Sequence, residues 1–431
     1  MDLTLEKHLN GEWQTAARLT IATPALGIRS PSVLEYDPHF ALHHLDERGE
    51  AAVSVNHPVD FAHARLSHWP AFLLDILPSG FGRDLLVRHE AWRLPDGPHN
   101  DVAVLAHGAS NPAGNLRVKE AWEWLSQQIP PADEGWTLED MRRHDADFIE
   151  YARLHGTLVA GTSTQGQAAK LWITRHQNGL YHADILVSDD EADAFYLLKL
   201  PRNPNDALLL EHEFKWLQLA KVAGLDVHGE PFVSGELLFI PRFDRRKSAR
   251  GVERRAMESA FSLLNVAEHG AALFHEDILE AWVDKAESQS LGEGLLEYLR
   301  RDILGYCLRV DDNHGRNTAF FPTNDGLKLT PLFDFSPMFL ADDPPARATL
   351  WRCFDAGQHA QWDRLFETPL PAMLGKENAM TLAKALINWV PTLQRTFTAF
   401  KAMDRSPRTE LCAPRFEFAL GVLHEICKKI A

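Results

Sequence analysis

The sequence predicts an α+β fold: a mixed α/β N-terminal part, a small antiparallel sheet, and a mainly α-helical C-terminal part. Three observations lead there. With 45% hydrophobic and 24% charged residues the composition is that of a folded globular chain. The dipeptide Asn178-Gly179 separates two alternating apolar runs, the strongest short-range signal for a hairpin. Beyond about residue 255, apolar residues recur at helical spacing. At 431 residues the chain has length for two or three packed units, and the pattern divides it into residues 1–145, 146–255 and 256–431.

Within the first segment, "RLTIATPAL" and "AAVSVNH" read as short strands, and "HWPAFLLDILPSGFGRDLLVRHEAW" reads as helix on both sides of a Pro-Ser-Gly break. In the second, "AAKLWITRH", "YHADILVS" and "AFYLLKLPRN" read as strands. The run "NDALLLEHEFKWLQLAKVAG" reads as a helix stopped by Gly224, and "ELLFIPRFDRR" returns to a strand. The third segment reads as helices over "MESAFSLLNVAEHGA", "HEDILEAWVDKAES", "GEGLLEYLRRDILGYCLRV", "MTLAKALINWVPTLQRTFTAFKAM" and "PRFEFALGVLHEICKK". A second hairpin interrupts them, turning at Thr323-Asn324-Asp325-Gly326.

A formal charge of −16 sets an overall field that repels nucleic-acid backbones, so direct nucleic-acid binding is not expected. The four cysteines lie far apart with no metal-ligand spacing, which reads as reduced thiols. No secretory signal and no apolar window of spanning length is present, so a cytoplasmic location without membrane association is expected.

Gly161 and Gly166 bracket a Ser/Thr-rich loop. It fails as a Walker A, because Gln167 stands where the lysine must follow the second glycine. A glycine-rich turn between strands is instead how protein kinases cover nucleotide phosphates. Downstream, Asp312 and Asn317 reproduce the D-x-x-x-x-N of a kinase catalytic loop, where the acid takes a hydroxyl proton and the amide holds magnesium. Asp334, between Phe333 and Phe335, resembles the metal-binding acid of D-F-G; a carboxylate in an apolar run is costly unless paired or metal-bound. Lys199 interrupts an apolar strand, with Glu211 and Glu213 on the following helix as partners of the kind that fix nucleotide phosphates. Loop, lysine, glutamate, catalytic loop and metal-binding acid come in kinase order, so the fold class sharpens to a protein-kinase-like two-lobed fold.

These segments resemble the HipA family, serine/threonine-kinase toxins of bacterial type II toxin–antitoxin systems. "STQGQAAK" resembles its phosphate loop, "YLLKLP" its lysine strand, "EHEFKWLQLAKVAGLDV" its glutamate helix, "PRFDRR" its hinge, "DNHGRN" its catalytic loop and "LTPLFDFS" its metal-binding segment. "AFLLDILPSG" resembles its N-terminal subdomain. The resemblance implies Asp312 as the base, and Asn317 and Asp334 as Mg²⁺ ligands. It implies an ATP site drawing on Ser163, Gly166, Lys170, Lys199, Glu213, Pro241, Arg242, Phe243 and His314, with adenine met by Phe243 and by backbone groups of 241–243. It also implies autophosphorylation of Ser163, which adds about −1.5 to −2 charge beside the phosphate site. A HipB-like DNA-binding antitoxin and a protein substrate such as an aminoacyl-tRNA synthetase follow as implied partners. Ala168 and Pro241 depart from the family pattern, which places a Gln and an acidic residue there.

Two other readings share part of this pattern. A small-molecule phosphotransferase has the same Asp–Asn spacing, and a degenerate kinase could serve as a regulatory binding module.

Overall fold

The computed structural model describes residues 1–88, 100–127, 134–143, 148, 169–248, 251–268, 270–286, 291–358, 360–403 and 409–430. The chain forms two compact units. One comprises Met1–Ala207, Glu230–His269 and Ala319–Gly326; the other comprises Leu208–Gly229, Gly270–Thr318 and Leu327–Ala431.

In the first unit, strands β1 (Asp2–Leu9), β2 (Glu12–Ile21), β3 (Ser32–Tyr36), β4 (His63–Leu66) and β5 (Leu116–Val118) make an antiparallel sheet in the order β4-β3-β2-β1-β5. Asn10 and Gly11 both take positive φ (54° and 89°) in the two-residue turn between β1 and β2. Such a turn matches the strand twist and selects Asn-Gly; the sequence reading passed over it. Alternate residues Leu3, Leu5, Leu19 and Leu34 join Trp69, Phe72 and Leu105 in one buried core. The predicted helices around Pro78-Ser79-Gly80 are present as Leu73–Ile76 and Gly80–Arg88.

The predicted strand over 51–57 is not there: the segment is irregular apart from a bridge between Ser54 and His57. Its backbone donors are satisfied by side chains instead of a ladder. Val53 N–H donates to the Tyr36 hydroxyl (2.9 Å) and Val55 N–H to Glu258 (2.7 Å). The apolar side chains are buried as the sequence suggested, but without a neighbouring strand.

The second sheet has the order β7-β6-β8-β10-β9, from β6 (Ala169–His176), β7 (Tyr181–Ala183), β8 (Ala192–Leu200), β9 (Phe232–Ser234) and β10 (Leu237–Pro241). The turn at Asn178-Gly179 joins β6 to β7 as predicted. One face, with Leu171, Ile173, Leu198, Leu200, Leu237 and Phe239, packs on Met141 and Phe148. The opposite face is polar and charged. Thr174 donates to Asp184 (2.5 Å), and the Arg242 guanidinium lies 3.9 Å from the Trp172 ring. Arg242 also makes two hydrogen bonds to Asp244 (2.9 and 2.7 Å) and reaches Asp184 (3.3 Å). Asp244 accepts from Gly114 N–H (2.9 Å), and Arg245 donates to Asn111 (3.0 Å). The R-F-D-R segment therefore ties residues 111–114 to this sheet.

In the second unit, the predicted helix ends where Leu225 N–H bonds the Ala220 carbonyl and Gly224 takes φ 75°, the glycine-stopped terminus expected. Trp216, Trp282 and Trp389 each give an indole N–H to a backbone carbonyl, of Leu308, Leu327 and Ala223 respectively. Helices Leu291–Cys307, Lys376–Asn388 and Ala413–Ile430 pack on one another, with Phe397, Phe400 and Phe416 in mutual ring contact. The single helical run expected over 380–403 is two helices meeting at Trp389. In the first unit the helix expected over 257–271 shrinks to Ala260–Leu263, capped by Ser259 and followed by Asn265 at φ 54°, a backbone turn that ends helical propagation. No helix among the described residues is long and apolar enough to cross a membrane.

Burial alone would push the Asp184 and Asp244 carboxyls up, but Arg242 and Arg245 more than reverse it, so both lie below the ordinary carboxylate value. Their contribution to stability is present above about pH 4 and is lost as pH falls through the depressed native values. Asp244→Ala leaves Arg242 and Arg245 buried without that partner and should cost about 3–5 kcal/mol. Urea unfolding at neutral pH measures the loss, and the gap between variant and wild type should narrow as the medium is acidified.

Candidate active site

Lys170 on β6 stands directly across from Lys199 on β8. Opposed residues of paired strands project from the same face, so two ammonium groups share one face; both residues are buried, at 6% and 2% exposure. Like charges directly opposite are unfavourable in a strand pair. Period-two alternation explains the arrangement: Leu171 and Leu198 go to the core, which sends their neighbours Lys170 and Lys199 the other way.

At the end of β10, Pro241 pairs with Tyr196, and Arg242 N–H continues the ladder to the Phe195 carbonyl (2.9 Å). The Arg242 side chain is 1% exposed and committed to Asp244 and Asp184. Phe243 meets Phe321 edge-on at 5.8 Å, and Arg255 lies 3.5 Å over Phe321. Ser163 and Gly166 lie outside the described residues. Glu213 is buried on the Pro204–Val222 helix of the second unit, where Ser336 Oγ lies 3.4 Å from its carboxylate.

The catalytic-loop residues follow the Leu291–Cys307 helix. Asn317 gives its amide N–H to the Asp312 carbonyl (2.7 Å), which fixes the side chain and leaves Oδ1 as the atom for another partner. His314 receives Arg316 N–H at 3.3 Å and puts Nε2 3.6 Å from the Asp312 carboxylate. Asn313, not singled out in the sequence, is the anchor of this loop. It donates to the Thr349 carbonyl (2.7 Å) and accepts from Ala348 N–H (2.9 Å) and Thr349 N–H (3.2 Å), while Thr349 Oγ donates to the Asn313 carbonyl (2.6 Å).

Asp334 has φ 51°. A non-glycine residue in this region is strained, and such strain gathers at functional sites where surrounding structure over-determines it. Phe335 is buried beside it. Asp312, Asn317 and Asp334 all line one cavity of about 80 Å³, so the acid, amide and acid singled out by spacing converge in space. Two carboxylates and an amide oxygen form an oxygen donor set of the kind hard divalent cations take.

The far wall of the cavity was not legible in the sequence. It includes His275, Tyr298, Arg301, Asp302 and Arg347. Asp302 accepts from Arg347 (2.5 Å), Trp351 (2.9 Å) and Trp362 (2.9 Å). Burial drives the His275 pKa down to about 4, against the opposing pull of Asp302. Its Nδ1 meets the Tyr298 hydroxyl at 2.7 Å.

A HipA chain of Shewanella oneidensis MR-1, solved in a complex of HipA, HipB and operator DNA, superposes with a TM-score of 0.65 over 99% of both chains at 16% identity. The model of the HipA-like C-terminal domain matches residues 162–392, more than half of the chain, and the protein belongs to that family. The Helicobacter pylori proinflammatory kinase CtkA matches more distantly, at 13% identity and a TM-score of 0.36 over 55% of this chain and 89% of that one. No curated protein sequence matches. The family and the α+β class expected from the sequence are thereby established.

Removing the Asn313 side chain deletes three hydrogen bonds that pin the catalytic loop. Asn313→Ala should lower stability by about 2–3 kcal/mol. Faster amide hydrogen exchange at Ala348 and Thr349, with unchanged exchange in the first unit, is the expected local signature.

Proposed function

We propose that this protein is a HipA-type serine/threonine protein kinase toxin that uses ATP and Mg²⁺, is neutralised by a HipB-like DNA-binding antitoxin and acts in the cytoplasm. The observation that carries the reading is the convergence of Asp312, Asn317 and strained Asp334 on one cavity. The oxygen donors fit a magnesium ion, which Asn317 Oδ1 and the Asp334 carboxylate would hold. The opposed Lys170 and Lys199 fit nucleotide phosphates, and the backbone of 241–243 suits an adenine edge. ATP with Mg²⁺ supplies the transferable phosphoryl group and neutralises its charge.

Asp312 orients the acceptor hydroxyl and accepts its proton. His314 and the clamp through Asn313 hold the Asp312 segment in place. Asn317 steadies the same loop from the far side through its bond to the Asp312 carbonyl. Ser163 is the proposed autophosphorylation site, where the added charge would oppose nucleotide phosphates. The protein substrate is proposed to be a translation component such as an aminoacyl-tRNA synthetase.

Incubating the protein with γ-labelled ATP and Mg²⁺ should label it and a protein in cell lysate, and Asp312→Asn should reduce the rate by about 10²–10⁴-fold. Equal labelling by wild type and Asp312→Asn would sink the proposal. Separately, Lys199→Met should fold but lose the ATP–Mg²⁺-dependent rise in melting temperature, whereas a surface control such as Lys376→Met keeps it.

A further inference from the structure

The cavity beside Asp312 has a second chemistry at its other end. The Arg347 side chain is 7% exposed; Nη2 donates to Asp302, while the buried Nη1 has no hydrogen-bond partner. An unsatisfied buried donor on a charged group is among the costlier defects a fold can carry. Asp302 offers no relief, since its carboxylate already accepts from Arg347, Trp351 and Trp362. Tyr298 is bonded to His275 Nδ1, while His275 Nε2 has no hydrogen-bond partner and lies 3.7 Å from Asp302, and the Asn313 side chain is taken up by residues 348–349.

Arg301 lines the same cavity. Its Nε is spent on Glu297 (2.8 Å), and burial pulls its pKa down despite that partner. The wall thus presents two guanidinium groups, and that of Arg347 has a buried donor for which the neighbouring side chains provide no acceptor. The volume of about 80 Å³ holds several water-sized bodies, enough for a compact group of a few heavy atoms. Guanidinium forks match tetrahedral oxyanions in geometry and charge. Asp312 and Asp334 sit among the lining residues too and repel an anion, so the guanidinium groups alone define where it would rest.

We infer that Arg347 and Arg301 form an oxyanion site for inorganic phosphate in the cavity shared with the catalytic loop. Because the Asn313 clamp joins that loop to the segment carrying Arg347, phosphate held there bears on the loop that carries Asp312. The site deepens the proposed kinase reading, yet it stands on Arg347 and Arg301 and not on phosphotransfer.

The test is thermal unfolding of the full chain titrated with inorganic phosphate, against chloride at matched ionic strength, with ³¹P line broadening as a second readout. Wild type should show a saturable rise in melting temperature with phosphate alone. Arg301→Met and Arg347→Lys should each weaken the phosphate response by about tenfold or more, the loss of one charge-assisted hydrogen bond. Arg347→Lys keeps a cation for Asp302; should it fail to fold, as judged by circular dichroism without phosphate, Arg301→Met decides alone. A phosphate response equal to that of chloride overturns the inference. So does a response undiminished in the folded variants, which means an adventitious ion elsewhere. ADP run in parallel separates free phosphate from a nucleotide's phosphates: a rise in melting temperature with ADP that survives Arg301→Met places the nucleotide elsewhere and leaves the site intact. Phosphate binding without γ-labelling overturns the kinase reading only, and labelling without phosphate binding overturns this one only.

Discussion

A carboxylate removed from water must find donors at close range, and Asp302 is where the second unit meets that constraint. Its two oxygens collect a guanidinium and two indole N–H groups from residues 347–362. Burial would raise its pKa, but Arg347, His275 and the two indole donors together more than offset that. Because those donors come from three places along one stretch, the stretch has a fixed course although its regular structure is limited to the two-residue strand Thr349–Leu350 and a 3-10 helix that begins at Trp362. The course matters because Ala348 and Thr349 grip Asn313. From a helix-borne acid, through that stretch, to the loop bearing Asp312, each link is a hydrogen bond with a named partner.

The first unit solves a related problem with different residues. Arg242, Asp244, Asp184 and Arg245 form a buried charged layer on the face of the second sheet that is turned from its apolar core. A hydrophobic layer of equal volume often stabilises as well or better, but it would not set direction. Here the forked bonds specify which loop, residues 111–114, meets which strands.

Much of this was legible in the sequence because it rests on local rules. Period-two alternation around Lys199, the Asn178-Gly179 turn and the glycine stop at Gly224 are consequences of backbone geometry that neighbours in sequence determine. The Asp312/Asn317/Asp334 set was legible because Asp312 and Asn317 keep a spacing that chemistry prescribes and because Asp334 is an acid in an apolar run. Residues 51–57 misled for a physical reason: burial by a strand and burial of an irregular segment leave the same apolar pattern, and only the distant Tyr36 and Glu258 decide between them. Residues 257–271 misled because apolar spacing continued past a backbone reversal at Asn265. The Arg347 wall left no local trace, since its partners lie on a helix far back in the chain.

The strand pairing of β6 and β8 slips by one position between Arg175 and His176, so that Asp193 is an extra residue in the ladder. Without the slip, each residue of β6 beyond it would face the preceding residue of β8, and Lys170 would lie across from Leu198. Register in β8 thus encodes chemistry: the unpaired Asp193 is what sets Lys199 across from Lys170, and a ladder that paired Asp193 with Arg175 would bring the same two strands together with the ammonium groups out of step.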